Sequence, residues 1–162
     1  MGKCSRRKKI LRIFAALLIA GVFLVLFFAG QKGEPAQNPL SQKQQEEILA
    51  IIEGGVEDST WWGAKSKDEL REILARYYTK PLLDKICADS WAFISEPTDW
   101  YWQAHVKKIE LHRQAKDIVC AEVELALSDA ITGQIETGKA EFTLKKTKEG
   151  WRIFTALYRW PG

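Results

Sequence analysis

Histidine and cysteine are scarce in this chain, two and three among 162 residues, and both scarcities narrow the chemistry. His105 and His112 lie seven residues apart in one stretch of alternating character, so a regular strand points them to opposite faces. No Cys, Asp or Glu grouping shows ligand spacing either, so neither a metal nor a cofactor is expected. No cysteine directly follows the long apolar run near the N-terminus, which removes a lipoprotein cleavage site. Cys87 and Cys120 have no adjacent histidine to make either a nucleophile. They behave as small buried hydrophobes, although a disulfide between them is chemically permitted outside the cytoplasm.

An excess of positive charge is missing from most of the chain. Lys3, Arg6, Arg7, Lys8, Lys9 and Arg12 stand in the first twelve residues without an acid, while the whole chain carries only +3. The remainder is therefore at −3. Nucleic-acid binding needs Lys and Arg gathered on a folded face, so it is not expected here.

Charge is absent altogether from Ile13 to Gly30, "IFAALLIAGVFLVLFFAG". As a helix this run spans roughly 27 Å, close to the hydrocarbon thickness of a bilayer. It is longer than the apolar region of a secretory signal, and Phe27 and Phe28 are too bulky for a small-x-small cleavage pattern. An uncleaved signal anchor is expected, with the lipid bilayer as the partner of residues 13–30. Six basic residues precede the run and only Lys32 follows closely, which keeps residues 1–12 in the cytoplasm and places the rest outside. "MGKCS" has the Gly2 and Cys4 of an acylation start but carries Arg6 where Ser or Thr belongs. Residues 31–39 form a polar tether with Gly33, Pro35 and Pro39.

A single extracytoplasmic domain over residues 40–162 follows. Ser41 and Gln44 read as a capping box that opens a helix with Ile48, Leu49 and Ile52 on one face, ended by Gly54-Gly55. Ser66 and Glu69 repeat the signal before Leu70, Ile73, Leu74 and Tyr77, the spacing of one buried helical stripe. Thr79 and Pro81 start a short third helix carrying Leu82, Leu83, Ile86 and Cys87, with a change of period from Ser90.

The C-terminal half alternates with a period of two. Val119, Ala121, Val123, Leu125 and Leu127 predict one strand, Ala140, Phe142 and Leu144 another, and Trp151, Ile153 and Leu157 the last. "SDAITG" and "KKTKEG" suit hairpins, so the sheet is antiparallel. An earlier strand covers Trp102 to Leu111, where a bulge near Lys107 restores the broken alternation. The predicted class is α+β, a transmembrane helix followed by helices packed on a curved antiparallel sheet in a cone-like domain.

The helical "LREILARYYTKPLLDKI", the strands "DIVCAEVELAL" and "GKAEFTLKK", and the closing "KEGWRIFTALY" resemble the nuclear transport factor two-like, cystatin-like superfold, in particular its membrane-anchored bacterial members. The resemblance spans about residues 40–160. It implies either catalysis by carboxylates, a tyrosine or a histidine inside the cone, or binding without catalysis, as in domains anchored beside secretion, conjugation or cell-envelope machinery. Fold alone does not choose between these.

Candidates for catalysis are Asp99, His105, Tyr77, Tyr78 and Tyr101, with Glu122 and Glu124 read as solvent-facing carboxylates. Seven tryptophans are the most unusual feature. Trp91, Trp102 and Trp151 are expected to plug the cone. Trp61, Trp62 and Trp160 are expected to be exposed, toward a protein partner or the membrane interface. In "TDWYWQAHV" alternation sends Trp100 and Trp102 inward and Tyr101 and His105 outward. The binding candidates are thus Trp61, Trp62, Trp100, Tyr101, Trp102, His105 and Trp160. The expected function is that of a single-pass, membrane-anchored interaction module. The alternatives are a small isomerase- or hydrolase-like enzyme, or a carrier of a small apolar ligand in the cone.

Overall fold

The computed structural model describes residues 39–96 and 101–160. The basic segment, the apolar run at 13–30, the tether up to residue 38, Asp99 and Trp100 lie outside the described residues. Among the described residues no helix is long and apolar enough to cross a membrane.

Helix α1 covers Gln42–Glu57 and opens on the predicted capping box: Gln44 N–H donates to Ser41 Oγ at 3.3 Å, and Ser41 N–H to Gln44 Oε1 at 3.1 Å. Two of the orphan amides of its first turn are thereby satisfied. It buries Ile48 and Ile52 fully, while Ile51 and Val56 flank the core and Leu49 is half-buried. The helix does not end at Gly54-Gly55 as the sequence suggests. It runs through both glycines, because their role is close approach: a Cβ on Gly54 would stand 2.3 Å from Tyr77 Cε1, and one on Gly55 3.0 Å from Ile153 Cδ1.

A 3-10 turn at Thr60–Gly63 (η1) follows, where a loop is predicted. Helix α2, Lys67–Leu74, starts on Ser66 Oγ, which accepts from Glu69 N–H at 3.1 Å. Leu70 and Leu74 are buried, but Tyr77 lies past the helix end in the connector. Helix α3 is Leu82–Ile94, longer than the period change at Ser90 suggests, because Trp91 and Ile94 keep packing on the core beyond that point.

Strands β1 (Trp102–Ala115), β2 (Ile118–Asp129), β3 (Ile135–Thr147) and β4 (Gly150–Arg159) form an antiparallel meander in the order β1-β2-β3-β4. The predicted bulge is present: Val106 faces Leu125 and Lys108 faces Glu124, leaving Lys107 as the extra residue. Besides a shift between Arg113 and Ala115 at the end of β1, a further irregularity falls opposite Thr143 and Leu144, so that Ile153 and then Ala156 point to the core and Phe154 to the other side. This shift puts Tyr158 on the core in place of the predicted Leu157.

The three helices share one face of the sheet with Val119, Ala121, Val123, Leu125, Ala140, Phe142, Leu144, Trp151 and Ile153, all nearly inaccessible. The Tyr77–Thr79 connector zips onto the outer edge of β4: Ile153 N–H donates to the Tyr77 carbonyl at 2.8 Å and Thr79 N–H to the Ile153 carbonyl at 3.0 Å. That closes the β4 edge locally, one of the ways a sheet avoids pairing with a second chain.

Candidate functional site

The concave face between helices and sheet is where a domain of this shape has room for a ligand. Here it is filled. Trp151 is 1% exposed and lies under Lys146, whose ammonium is 5.9 Å from the ring centroid. Its indole Nε1 is buried without a hydrogen-bond partner, against the expectation that such N–H groups reach the rim. Trp160 lies over Gly138, where a Cβ would stand 2.3 Å from Trp160 Cε3. It is therefore packed against the core, not free at the surface as the sequence suggests. A residue without a side chain on β3 makes the seat for the ring, a cross-strand fit of the kind that pairs aromatics with glycine.

The polar atoms inside the cone belong to tyrosines. Tyr78 donates to the Gly55 carbonyl, and Tyr77 donates to Asp58 Oδ2 at 2.8 Å. Burial resists ionisation of Asp58, but donors on Thr60 and the Tyr77 hydroxyl outweigh it and hold the carboxyl below its usual range. Burial pushes the Tyr158 phenol up to about 12, partly offset by its hydrogen bond with Tyr78, and burial pushes Tyr78 well above the ordinary range too.

Both phenols thus stay neutral at physiological pH and serve as fasteners between α1, the connector and β4. The sign for stability follows directly: a raised phenol pKa favours the neutral folded form. The contribution is complete below the ordinary value of 10 and is lost as pH rises from there through about 12. Urea unfolding followed by circular dichroism should show a midpoint that is steady up to about pH 10 and falls beyond it. Tyr158→Phe should flatten that fall, and an unchanged pH profile in the variant would assign the fall elsewhere.

The predicted catalytic set does not converge among the described residues. His105 shares the outer face of the sheet, where its Nε2 lies 3.1 Å from Ser128 Oγ. The bulge at Lys107 also overturns the opposite-face expectation for the histidines. His105 pairs with Ala126 and His112 with Cys120, positions of equal parity on β2, so both point outward. They remain far apart along the strand, and no three His, Cys, Asp or Glu residues group as metal donors among the described residues. Glu122 and Glu124 are exposed on that same outer face.

Cys87 and Cys120 are free thiols, so the permitted disulfide does not form. Cys87 packs on the core from α3, whereas Cys120 alternates with buried Val119 and Ala121 and turns outward beside Thr143. The sheet lies between them. Burial raises both thiol pKa values, which disfavours the reactive thiolate.

What the structure does assemble is an aromatic cluster on the surface. Trp61 and Trp62 have ring centroids 5.4 Å apart, Phe93 from the end of α3 is 5.6 Å from Trp62 in an edge-on arrangement, and 6.3 Å from Trp61. Trp61 packs against the core while Trp62 is 37% exposed, so the tandem pair splits between inside and outside. The η1 turn does this by placing successive side chains on different sides. Phe93 escaped the sequence reading because it meets the tryptophans from some thirty residues away.

Trp102 is half-buried on the same sheet face as Ala104 and Val106, as predicted. Tyr101 is 49% exposed and its carbonyl accepts from Ala130 N–H, beside exposed Ile131 in the β2–β3 turn and exposed Ile135 at the start of β3. Glu57 Oε1 accepts from Val106 N–H at 2.7 Å, covering the amide just before the bulge on the open edge of β1.

Helices stacked on one face of a four-stranded antiparallel meander define the cystatin-like, nuclear transport factor two-like fold, and this domain has it. It is similar to a protein of unknown function with a cystatin-like fold from Nostoc punctiforme, at 9% identity and TM-score 0.52, over 78% of this chain and 95% of that one. It is also similar to a nuclear transport factor two-like protein of unknown function from Pseudomonas putida, at 15% identity and TM-score 0.53, over 76% and 90%. A candidate aromatic ring hydroxylase from Novosphingobium aromaticivorans superposes at TM-score 0.55 with 10% identity, over 76% and 93%. No protein-family model and no curated protein matches the chain. Identities this low speak to the fold alone.

Proposed function

We propose that the chain presents its cystatin-like domain on the outer side of a membrane, held by the span at 13–30, and docks a protein partner through the Trp61, Trp62 and Phe93 face. One observation carries this: among the described residues the concave face is packed with side chains, while Trp62 stays 37% exposed on a cluster of tilted and edge-on aromatic rings. Aromatics at the surface of a domain whose core is already full have the composition of an interface centre. The charge asymmetry around the apolar run supports the N-in orientation. Envelope, secretion or conjugation machinery, beside which relatives of this fold are anchored, is the class of assembly such a module would join.

The isomerase- or hydrolase-like alternative requires an acid or base inside the cone, and among the described residues no charged side chain is buried. The carrier alternative requires an apolar void where Trp151, Phe142 and Tyr158 now sit.

Crosslinking the intact protein in its native membrane tests the proposal, with Trp62→Ala compared to the unaltered chain. Because Trp61 supports the core and Trp62 does not, the single change isolates the surface. A central aromatic is commonly worth 2 kcal/mol or more, so capture of the partner should fall by about tenfold or more. Undiminished capture would remove this face from the interface. A reporter fused after Gly162 that is active only in the cytoplasm would overturn the orientation.

A further inference from the structure

The net charge of −3 outside the basic N-terminus conceals a polarity along the domain. The β1–β2 and β3–β4 turns lie at one end of the meander and the β2–β3 turn at the other. The tether enters at the first end, where Arg113 Nη1 donates to the Pro39 carbonyl at 3.4 Å. That end carries exposed Lys116 on one turn and exposed Lys145, Lys146 and Lys148 around the other, against single acids Asp117 and Glu149. None of these four lysines is in an ion pair among the described residues. Beside them an open depression of about 320 Å³ is bordered by Lys80, Lys148 and Arg152, by the hydroxyl-bearing Thr79 and Thr147, and by one carboxylate, Glu149; Lys80 is also paired with Asp84 at 3.8 Å. The far end is acidic instead, with Glu57 and Asp58 closing α1, Glu96 after α3, and Asp129 and Glu136 flanking the β2–β3 turn.

We infer that the tether end of the domain docks on anionic lipid headgroups, with Lys116, Lys145, Lys146 and Lys148 as the contact surface and the depression receiving a headgroup phosphate. This rests on the membrane-anchor reading above. Eight residues between Gly30 and Pro39 reach at most roughly 30 Å when extended, so a span at 13–30 keeps the basic end near the headgroups. Lysines there that lack an ion pair gain from the negative surface potential, although Lys145 and Lys146 each lie 5.9 Å from an aromatic ring, and the acidic end is repelled from it. The aromatic cluster lies beyond the acidic end of α1, so docking would leave it free for a partner.

The test uses the full chain reconstituted in phosphatidylcholine vesicles, with or without phosphatidylglycerol, and reads amine modification of each lysine by mass spectrometry. With the anionic lipid, Lys116, Lys145, Lys146 and Lys148 should react about fivefold more slowly, a slowing reversed by high salt, while Lys107 on the β1 bulge is unaffected. In K146E/K148E on the anionic vesicles, Lys116 on the neighbouring turn should return to the rate that it shows on neutral ones, which a purely local effect would not produce. Equal rates in both vesicle types would overturn the docking. Slowing by inorganic phosphate in neutral vesicles would replace the lipid surface with a free-anion site. An alkaline carbonate wash separates the two readings: loss of the chain from neutral vesicles counts against the span, whereas retention with equal lysine rates counts against docking alone.

Discussion

Trp151→Ala should cost about 3–5 kcal/mol, a large share of the 5–15 kcal/mol that holds a typical domain folded. The residue is 1% exposed at the start of β4 and belongs to the same cluster as Ile48, Leu70, Leu83 and Ile153, so truncation opens a cavity that helices and sheet both line. Trp151→Phe should behave differently. It keeps most of the ring volume and removes an indole N–H that is buried without a partner, and an unsatisfied buried donor is itself worth about 1–3 kcal/mol. The phenylalanine variant should therefore lie within about 1–2 kcal/mol of the parent. Urea midpoints at constant slope would measure both. Equal losses in the two variants would show that the N–H is satisfied in solution.

Gly54→Ala tests a position where local propensity and packing disagree. In an isolated helix the change gains about 1 kcal/mol, because glycine is a poor helix former. Here the new methyl would meet Tyr77 Cε1 at 2.3 Å and Cζ at 2.9 Å, too close for the ring to stay. Moving the ring breaks the Tyr77–Asp58 hydrogen bond of 2.8 Å at the end of α1. The expected net effect is a loss of about 1–3 kcal/mol. In a Tyr77→Ala background the obstacle is gone, and the same substitution should become stabilising by up to about 1 kcal/mol. A loss of equal size in both backgrounds would mean the helix, not the ring, resents the methyl.

The capping serines, the alternating strands and the bulge at Lys107 were all legible, because each is a local consequence of residue type and spacing. Ser41 and Ser66 cap where the sequence places them, and the interrupted alternation after Val106 could only be repaired by one extra residue. The same local logic misread Gly54-Gly55 as a stop, since the reason for those glycines is a tyrosine more than twenty residues away. It misread Trp160 as exposed, because its seat is the missing side chain of Gly138 on the neighbouring strand. Of the binding candidates, Trp62 and Tyr101 are exposed as expected, Trp102 is half-buried, His105 lies on the outer face with Ser128, and Trp100 lies outside the described residues.

From sequence alone came the α+β class, the antiparallel order and the register bulge. These depend on periodicity and composition, which act within a few residues. Only the tertiary structure decided that Trp151, Phe142 and Tyr158 pack into the concave face, that Cys87 and Cys120 stand on opposite sides of the sheet, and that Phe93 joins Trp61 and Trp62. It alone gathered Lys116 and Lys148 at the end where the tether enters. Such placements join residues tens of positions apart, and no local pattern records which distant side chain will occupy a given space.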